Sequence, residues 1–186
     1  MNLEKSYFVL LILSLVIFGS TLTSAIDFTI GVEAGYFFPS DDDFSDIYGS
    51  APIFGINAGC TPAENIQIIF GANYYGKSSE TSITLEPINI DIITARVGGY
   101  YLFIMDTIRP KFGAGIVFAS VNEDTSFKEF SDSSIGWFVA AGADMPLGEK
   151  IIAGLEIQYS DASMEGDFGD QLVGGLSMLV TARLKL

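Results

Sequence analysis

Side chains along most of this chain alternate in polarity with a period of two, which commits those segments to β-strands, because a helix repeats every ~3.6 residues. The first run sets Phe28, Ile30, Val32, Ala34, Tyr36 and Phe38 on one face, against Thr29, Gly31, Glu33, Gly35 and Phe37 on the other. A second opposes Phe54, Ile56, Ala58 and Cys60 to Gly55, Asn57 and Gly59. A third opposes Ile66, Ile68, Phe70, Ala72 and Tyr74 to Gln67, Gly71 and Asn73. The fourth spans about Ile88 to Leu102, and its apolar phase shifts between Ile92 and Ile93, which predicts a β-bulge there. In the fifth, Ile108, Pro110, Phe112, Ala114, Ile116 and Phe118 lie opposite Arg109, Lys111, Gly113 and Gly115. In the sixth, Trp137, Val139, Ala141, Ala143 and Met145 lie opposite Gly136, Gly142 and Asp144. The seventh sets Ile151, Ala153, Leu155, Ile157 and Tyr159 against Gly154, Glu156, Gln158 and Ser160. The eighth runs from Leu172 through Leu176, Met178, Val180, Ala182 and Leu184 to Leu186, against Ser177, Thr181, Arg183 and Lys185.

The connections alternate too. Pro62 to Asn65, Met105 to Thr107 and Leu147 to Lys150 read as tight turns, whereas Ser40–Ala51, Gly76–Pro87, Asn122–Ser134 and Asp161–Asp170 are long, polar and acid-rich. Short turns at one end and long loops at the other describe an eight-stranded antiparallel up-and-down transmembrane β-barrel, with turns in the periplasm and loops outside. An even strand number returns both mature termini to the periplasm. It also lets the first and last strands pair, leaving no open sheet edge for hydrocarbon to meet. Ahead of the strands, Lys5, the apolar run Tyr7–Phe18 and the small residues Thr23-Ser24-Ala25 read as a secretory signal peptide over residues 1–25, with the barrel domain at 26–186. The apolar run is short of the ~20 residues a membrane-spanning helix requires, and no later segment reaches that length.

Alternation alone leaves open which face points outward, since a soluble lipocalin-like periplasmic carrier alternates with its apolar face inside. The polar face here holds mostly Gly, Ser, Thr, Asn and Ala, which suits a narrow lumen better than a water-facing surface. Aromatics recur near strand ends (Tyr36, Phe38, Tyr74, Tyr101, Phe118, Trp137, Tyr159), as interfacial girdles do. A hydrophobic share of 49% excludes a disordered acidic chain despite the net charge of −14, and nine basic residues without a cluster argue against nucleic acid. The single cysteine, Cys60, allows no internal disulfide.

The chain resembles the small outer-membrane β-barrel domain family of the OmpA/OmpX type. The resemblance is carried by Pro110-Lys111-Phe112-Gly113-Ala114-Gly115 in the fifth strand, and by Gly136-Trp137 leading to Ala141-Gly142-Ala143 in the sixth. It implies a bacterial outer-membrane location, contact with outer-membrane lipid and insertion by the barrel assembly machinery. Two departures from the family are expected on this reading: Leu186 stands at the last position, where an aromatic residue is usual for recognition by that machinery, and the barrel is expected without a peptidoglycan-binding domain after it.

For chemistry, strand phase collects Glu33 and Glu156 with Arg96, Arg109, Lys111, Arg183 and Lys185 on the lumen face, a confined set of opposite charges that should pair. Two readings follow: a static plug that satisfies the interior, which we prefer, or a gate that exchanges ion-pair partners. Arg183 and Lys185 also lie near the strand end, where solvent would meet them. Without any histidine the chain cannot be one of the histidine-dependent lipases, deacylases or proteases among outer-membrane barrels, and a Cys/His zinc site is excluded. No cofactor is expected. Asp41, Asp42, Asp43 and Asp46 offer oxygen ligands, but the glycine of an EF-hand loop is missing and a solvated acidic loop is the simpler reading. The expected function is non-enzymatic, with a role in envelope integrity or surface interaction. The alternatives are a small pore or lateral-diffusion channel of the OmpW type, and the soluble carrier.

Overall fold

A computed structural model describes residues 26–80, 87–124, 129–166, 169–172 and 174–186. The expected signal peptide and the loop segments 81–86, 125–128 and 167–168 lie outside the described residues. The strands are β1 (Asp27–Pro39), β2 (Ala51–Ala63), β3 (Ile66–Glu80), β4 (Pro87–Leu102), β5 (Arg109–Asp124), β6 (Glu129–Leu147), β7 (Ile151–Asp161), a small hairpin of β8 (Ser163–Gly166) and β9 (Gly169–Leu172), and β10 (Gly175–Lys185). β1 to β7 and β10 form a closed barrel. Closure is antiparallel, with β1 and β10 in register from Thr29↔Lys185 to Pro39↔Gly175. Every barrel strand therefore has two partners, which a lipid environment demands of its backbone amides and carbonyls.

The apolar face of each strand points outward. Phe28, Ile30, Val32, Phe54, Ile56, Ile116, Leu155 and Val180 are all exposed, and Ile135 is 73% exposed. Aromatic side chains gather at both margins of this belt: Tyr36 with Phe38 and Trp137 with Tyr159 toward the loops, Tyr101 with Phe103 and Phe112 toward the turns. Beyond the loop-side margin the outward face turns polar, where Tyr74 donates a hydrogen bond to Asp91 and Ser78 to Asn89. The belt is thus bounded at both ends, as a bilayer-spanning surface is.

Four details differ from the sequence reading. β4 carries no bulge: its register with β3 runs unbroken from Ile66↔Tyr101 to Glu80↔Pro87, and with β5 from Asn89↔Asp124 to Leu102↔Lys111. Ile90 and Ile92 simply face an apolar part of the lumen, so both faces of the strand are apolar there and the phase only appears to shift. The irregularity lies instead between β2 and β3, at Cys60/Ala63. Much of Gly76–Pro87 and Asn122–Ser134, expected as loop, is strand, because residues with water on one face can still alternate and pair. Leu172 closes β9, and β10 begins only at Gly175. Finally, Ser40–Ala51 folds into a short helix, α1 (Asp42–Ile47), in whose first turn Phe44 N–H, which has no partner within the helix, donates to the Asp41 carboxylate at 2.8 Å. Gly49, at φ 64°, turns the chain out of that helix, a conformation that favours glycine.

Candidate functional site: the barrel lumen

Inward-facing positions on eight strands converge on one axis, so the lumen is the molecule's core. Nearer the turns it is polar. Six charged side chains, each 1–6% exposed, form a chain of alternating sign: Glu33, Arg96, Glu156, Lys111, Asp144, Arg183. Arg96 Nη2 lies 2.9 Å from Glu33 Oε2 and 3.5 Å from Glu156 Oε1. Lys111 Nζ lies 2.8 Å from Glu156 Oε2 and 3.3 Å from Asp144 Oδ1, and Asp144 Oδ2 pairs in turn with Arg183. Three carboxylates against three cations leave the assembly neutral, which an interior of low dielectric requires.

Neutral polar groups complete it. Asn57 donates to Glu33 at 2.8 Å, Tyr100 Oη to Glu156 at 3.2 Å, and Arg183 to Gln67 at 3.2 Å; Arg96 also donates to Gln158. The Tyr100 ring covers Lys111, with Nζ 5.2 Å from its centroid. Glycine makes room for these rings: a Cβ on Gly113 would fall 2.4 Å from Tyr100, and one on Gly115 2.7 Å from Phe138.

Nearer the loops the lumen is apolar. Ile53, Ile90, Ile92, Val117, Phe138 and Leu179 fill it, and Phe37 meets Tyr75 edge-on at 5.7 Å. Helix α1 lays Phe44 against Tyr75 at 6.4 Å, and Tyr48 is buried beside it. Tyr75 Oη donates to Gly49 O at 3.1 Å and Lys77 Nζ to Ser50 O at 3.2 Å, tying α1 across the mouth. Between the two layers lies a cavity of about 40 Å³, lined in part by Asn73, Thr94, Gln158, Ser160 and Ser177. At ~10–15 Å³ per water it has room for a few waters and for no organic solute.

Of the residues expected on the lumen face, Glu33, Arg96, Lys111, Glu156 and Arg183 come together. Arg183 is 2% exposed, so it is not solvated as its position near the strand end allowed. Arg109 stands apart: half-buried at the start of β5, it joins no ion pair among the described residues, because the Asp144 carboxylate opposite it is already taken by Lys111 and Arg183. Lys185 lies at the rim and pairs with Asp27 at 2.7 Å, both side chains well exposed. Sequence reasoning left out Asp144, although it alternates with Gly142 on the inward face and phase alone could have included it. Phase likewise put Asn57, Gln67 and Gln158 on the inward face, although nothing marked them as partners of the charges, and Tyr100 lies in the strand to which no faces were assigned. Among the described residues no group of potential ligands could hold a metal ion.

The sequence matches a family model described as "Outer membrane protein beta-barrel domain" over residues 9–178. A comparison with curated proteins finds no match. Among solved structures the chain is similar to Neisserial surface protein A, at 16% identity and a TM-score of 0.65, over 88% of this chain and 100% of that one. It is likewise similar to the outer membrane protein OprG of Pseudomonas aeruginosa, at 14% and 0.65 over 86% and 95%. Ail of Yersinia pestis, solved with the heparin analogue sucrose octasulfate, is similar at 13% and 0.54 over 87% and 97%. Identities this low speak to the fold alone.

Proposed function

Because the chain belongs to the outer membrane protein β-barrel domain family, we propose that it is a non-enzymatic barrel with a sealed lumen, serving envelope structure and presenting an acidic surface outside the cell. The carrying observation is the neutral six-residue charge chain beneath an apolar layer, with a cavity of about 40 Å³ lying between them among the described residues. In this reading residues 1–25 direct export and are removed, the assembly machinery inserts residues 26–186, and the turn end with both mature termini faces the periplasm. A soluble carrier would need the inverse arrangement, with the large apolar side chains inside.

At the loop end, Ser40–Ala51, Gly76–Pro87, Asn122–Ser134 and Asp161–Asp170 hold Lys77 and Lys128 as their only basic residues among many carboxylates. Such a surface repels polyanions, so a sulfated sugar of the kind seen with Ail does not suit it; cationic surfaces do. The test of sealing is conductance. Folded protein inserted into planar bilayers is expected to give no steady openings, and a sustained ohmic current would overturn the sealed reading in favour of a pore.

A further inference from the structure

Three turns face the periplasm in this reading, and one is unlike the others. The β2–β3 turn centres on Glu64-Asn65 and the β6–β7 turn on Gly148-Glu149-Lys150, both polar. The β4–β5 connection reads Phe103-Ile104-Met105-Asp106-Thr107-Ile108, and its four large apolar side chains are 42%, 56%, 54% and 49% exposed. A turn held in water has no use for such a patch. It is continuous with the lipid belt: Phe103 packs on Tyr101 at 5.1 Å and on Phe112 at 5.9 Å, both belonging to the turn-side aromatic girdle. Phe103 N–H also donates to Pro110 O at 2.8 Å, which holds the ring at the barrel wall.

Beside this turn lies a shallow cleft of about 420 Å³, broadly open to solvent. Leu102 and Asn65 both line it, and Leu102 N–H donates to Asn65 O at 2.8 Å. Glu64 and Asn65 line one part, and Tyr101, Phe103, Ile104 and Met105 another. Glu64 is exposed and joins no ion pair among the described residues. The cleft is therefore amphipathic, with an unpaired carboxylate beside an apolar wall.

We propose that the β4–β5 turn is a leaflet anchor that lies in the inner-leaflet interface and seats a phospholipid, its acyl and glycerol portion against Phe103, Ile104 and Met105 and its headgroup ammonium at Glu64. Continuity with the belt selects lipid as the occupant, and the free carboxylate selects a headgroup bearing an ammonium over one that is purely anionic. The inference rests on the outer-membrane placement with the turn end periplasmic.

The experiment uses single-tryptophan reporters in a Trp137→Phe background, in vesicles of phosphatidylethanolamine and phosphatidylglycerol carrying brominated acyl chains. Met105→Trp should emit at blue-shifted wavelengths and be quenched more by bromines near the glycerol than by those near the terminal methyl, while Ile116→Trp in the belt is quenched by both. Water-like, unquenched emission from Met105→Trp alone overturns the anchor. The same result from Ile116→Trp as well would bring down the membrane reading itself. Lipid retained after mild delipidation, measured by native mass spectrometry, should favour phosphatidylethanolamine over phosphatidylglycerol by about two- to fivefold, the size of an exposed ion pair, and Glu64→Gln should bring the two to parity. Equal retention by the unsubstituted protein overturns the headgroup assignment.

Discussion

In the turn-side half of the lumen six charges alternate in sign across β1, β4, β7, β5, β6 and β10, whereas in the loop-side half Ile53, Ile92, Val117 and Phe138 fill the same bore with hydrocarbon. Both halves exclude solvent, but they should respond differently to damage. Removing one member of the polar half strands its partner in a medium that cannot solvate it. Trimming the apolar half loses only the contacts of the atoms removed, plus the space left behind.

The largest effect is therefore expected in the polar half. Arg96→Met removes the cation that joins Glu33 to Glu156 and also serves Gln158, and should lower stability by about 3–5 kcal/mol, the usual consequence of breaking a buried pair. Urea unfolding in lipid vesicles measures it. Adding Glu33→Leu to that variant should restore most of the loss, since Glu156 keeps Lys111 and Tyr100. A double variant as unstable as the sum of its parts would show that the two halves do not differ in the way described.

In the apolar half, Ile92→Val removes one buried methylene and should cost about 0.5–1.5 kcal/mol in the same assay. No second substitution should rescue it, because no partner is left unsatisfied. A cost comparable to that of Arg96→Met would mean that the loop-side layer is mechanically coupled to the charges beneath it.

The same contrast explains what could be read from the sequence. A strand between lipid and lumen must alternate, so eight segments announced themselves, and Glu33, Lys111 and Glu156 took the inward face with them. The assumption that inward means polar then misled at Ile90 and Ile92, where the lumen itself is apolar and the pattern resembled a bulge. Which charges meet was not legible. Arg96 and Glu33 are 63 residues apart, and their meeting depends on how eight registers accumulate around the barrel rather than on any local spacing. Helix α1 was also hidden, because six residues carry too little periodicity to rise above an acidic loop; its trace was Asp41, a capping residue placed three before Phe44.

The smallest effect is expected where a charge pair has left the lumen. Lys185 and Asp27 meet at 2.7 Å across the β1–β10 seam, with side chains 40% and 47% exposed. Water screens them, and holding two mobile side chains together offsets part of the attraction, so Lys185→Ala should cost between zero and about 1 kcal/mol. Added salt should shrink that difference further, whereas the cost of Arg96→Met should hardly change, because ions do not reach a buried pair. The seam does not depend on the rim charges: its ladder runs from Thr29↔Lys185 onward through backbone bonds, and Leu186 N–H adds one more to Phe28 O at 2.9 Å. A loss of several kcal/mol on Lys185→Ala, insensitive to salt, would mean that closure of the barrel relies on this clasp, and that burial is not what separates the strong charges of this molecule from the weak ones.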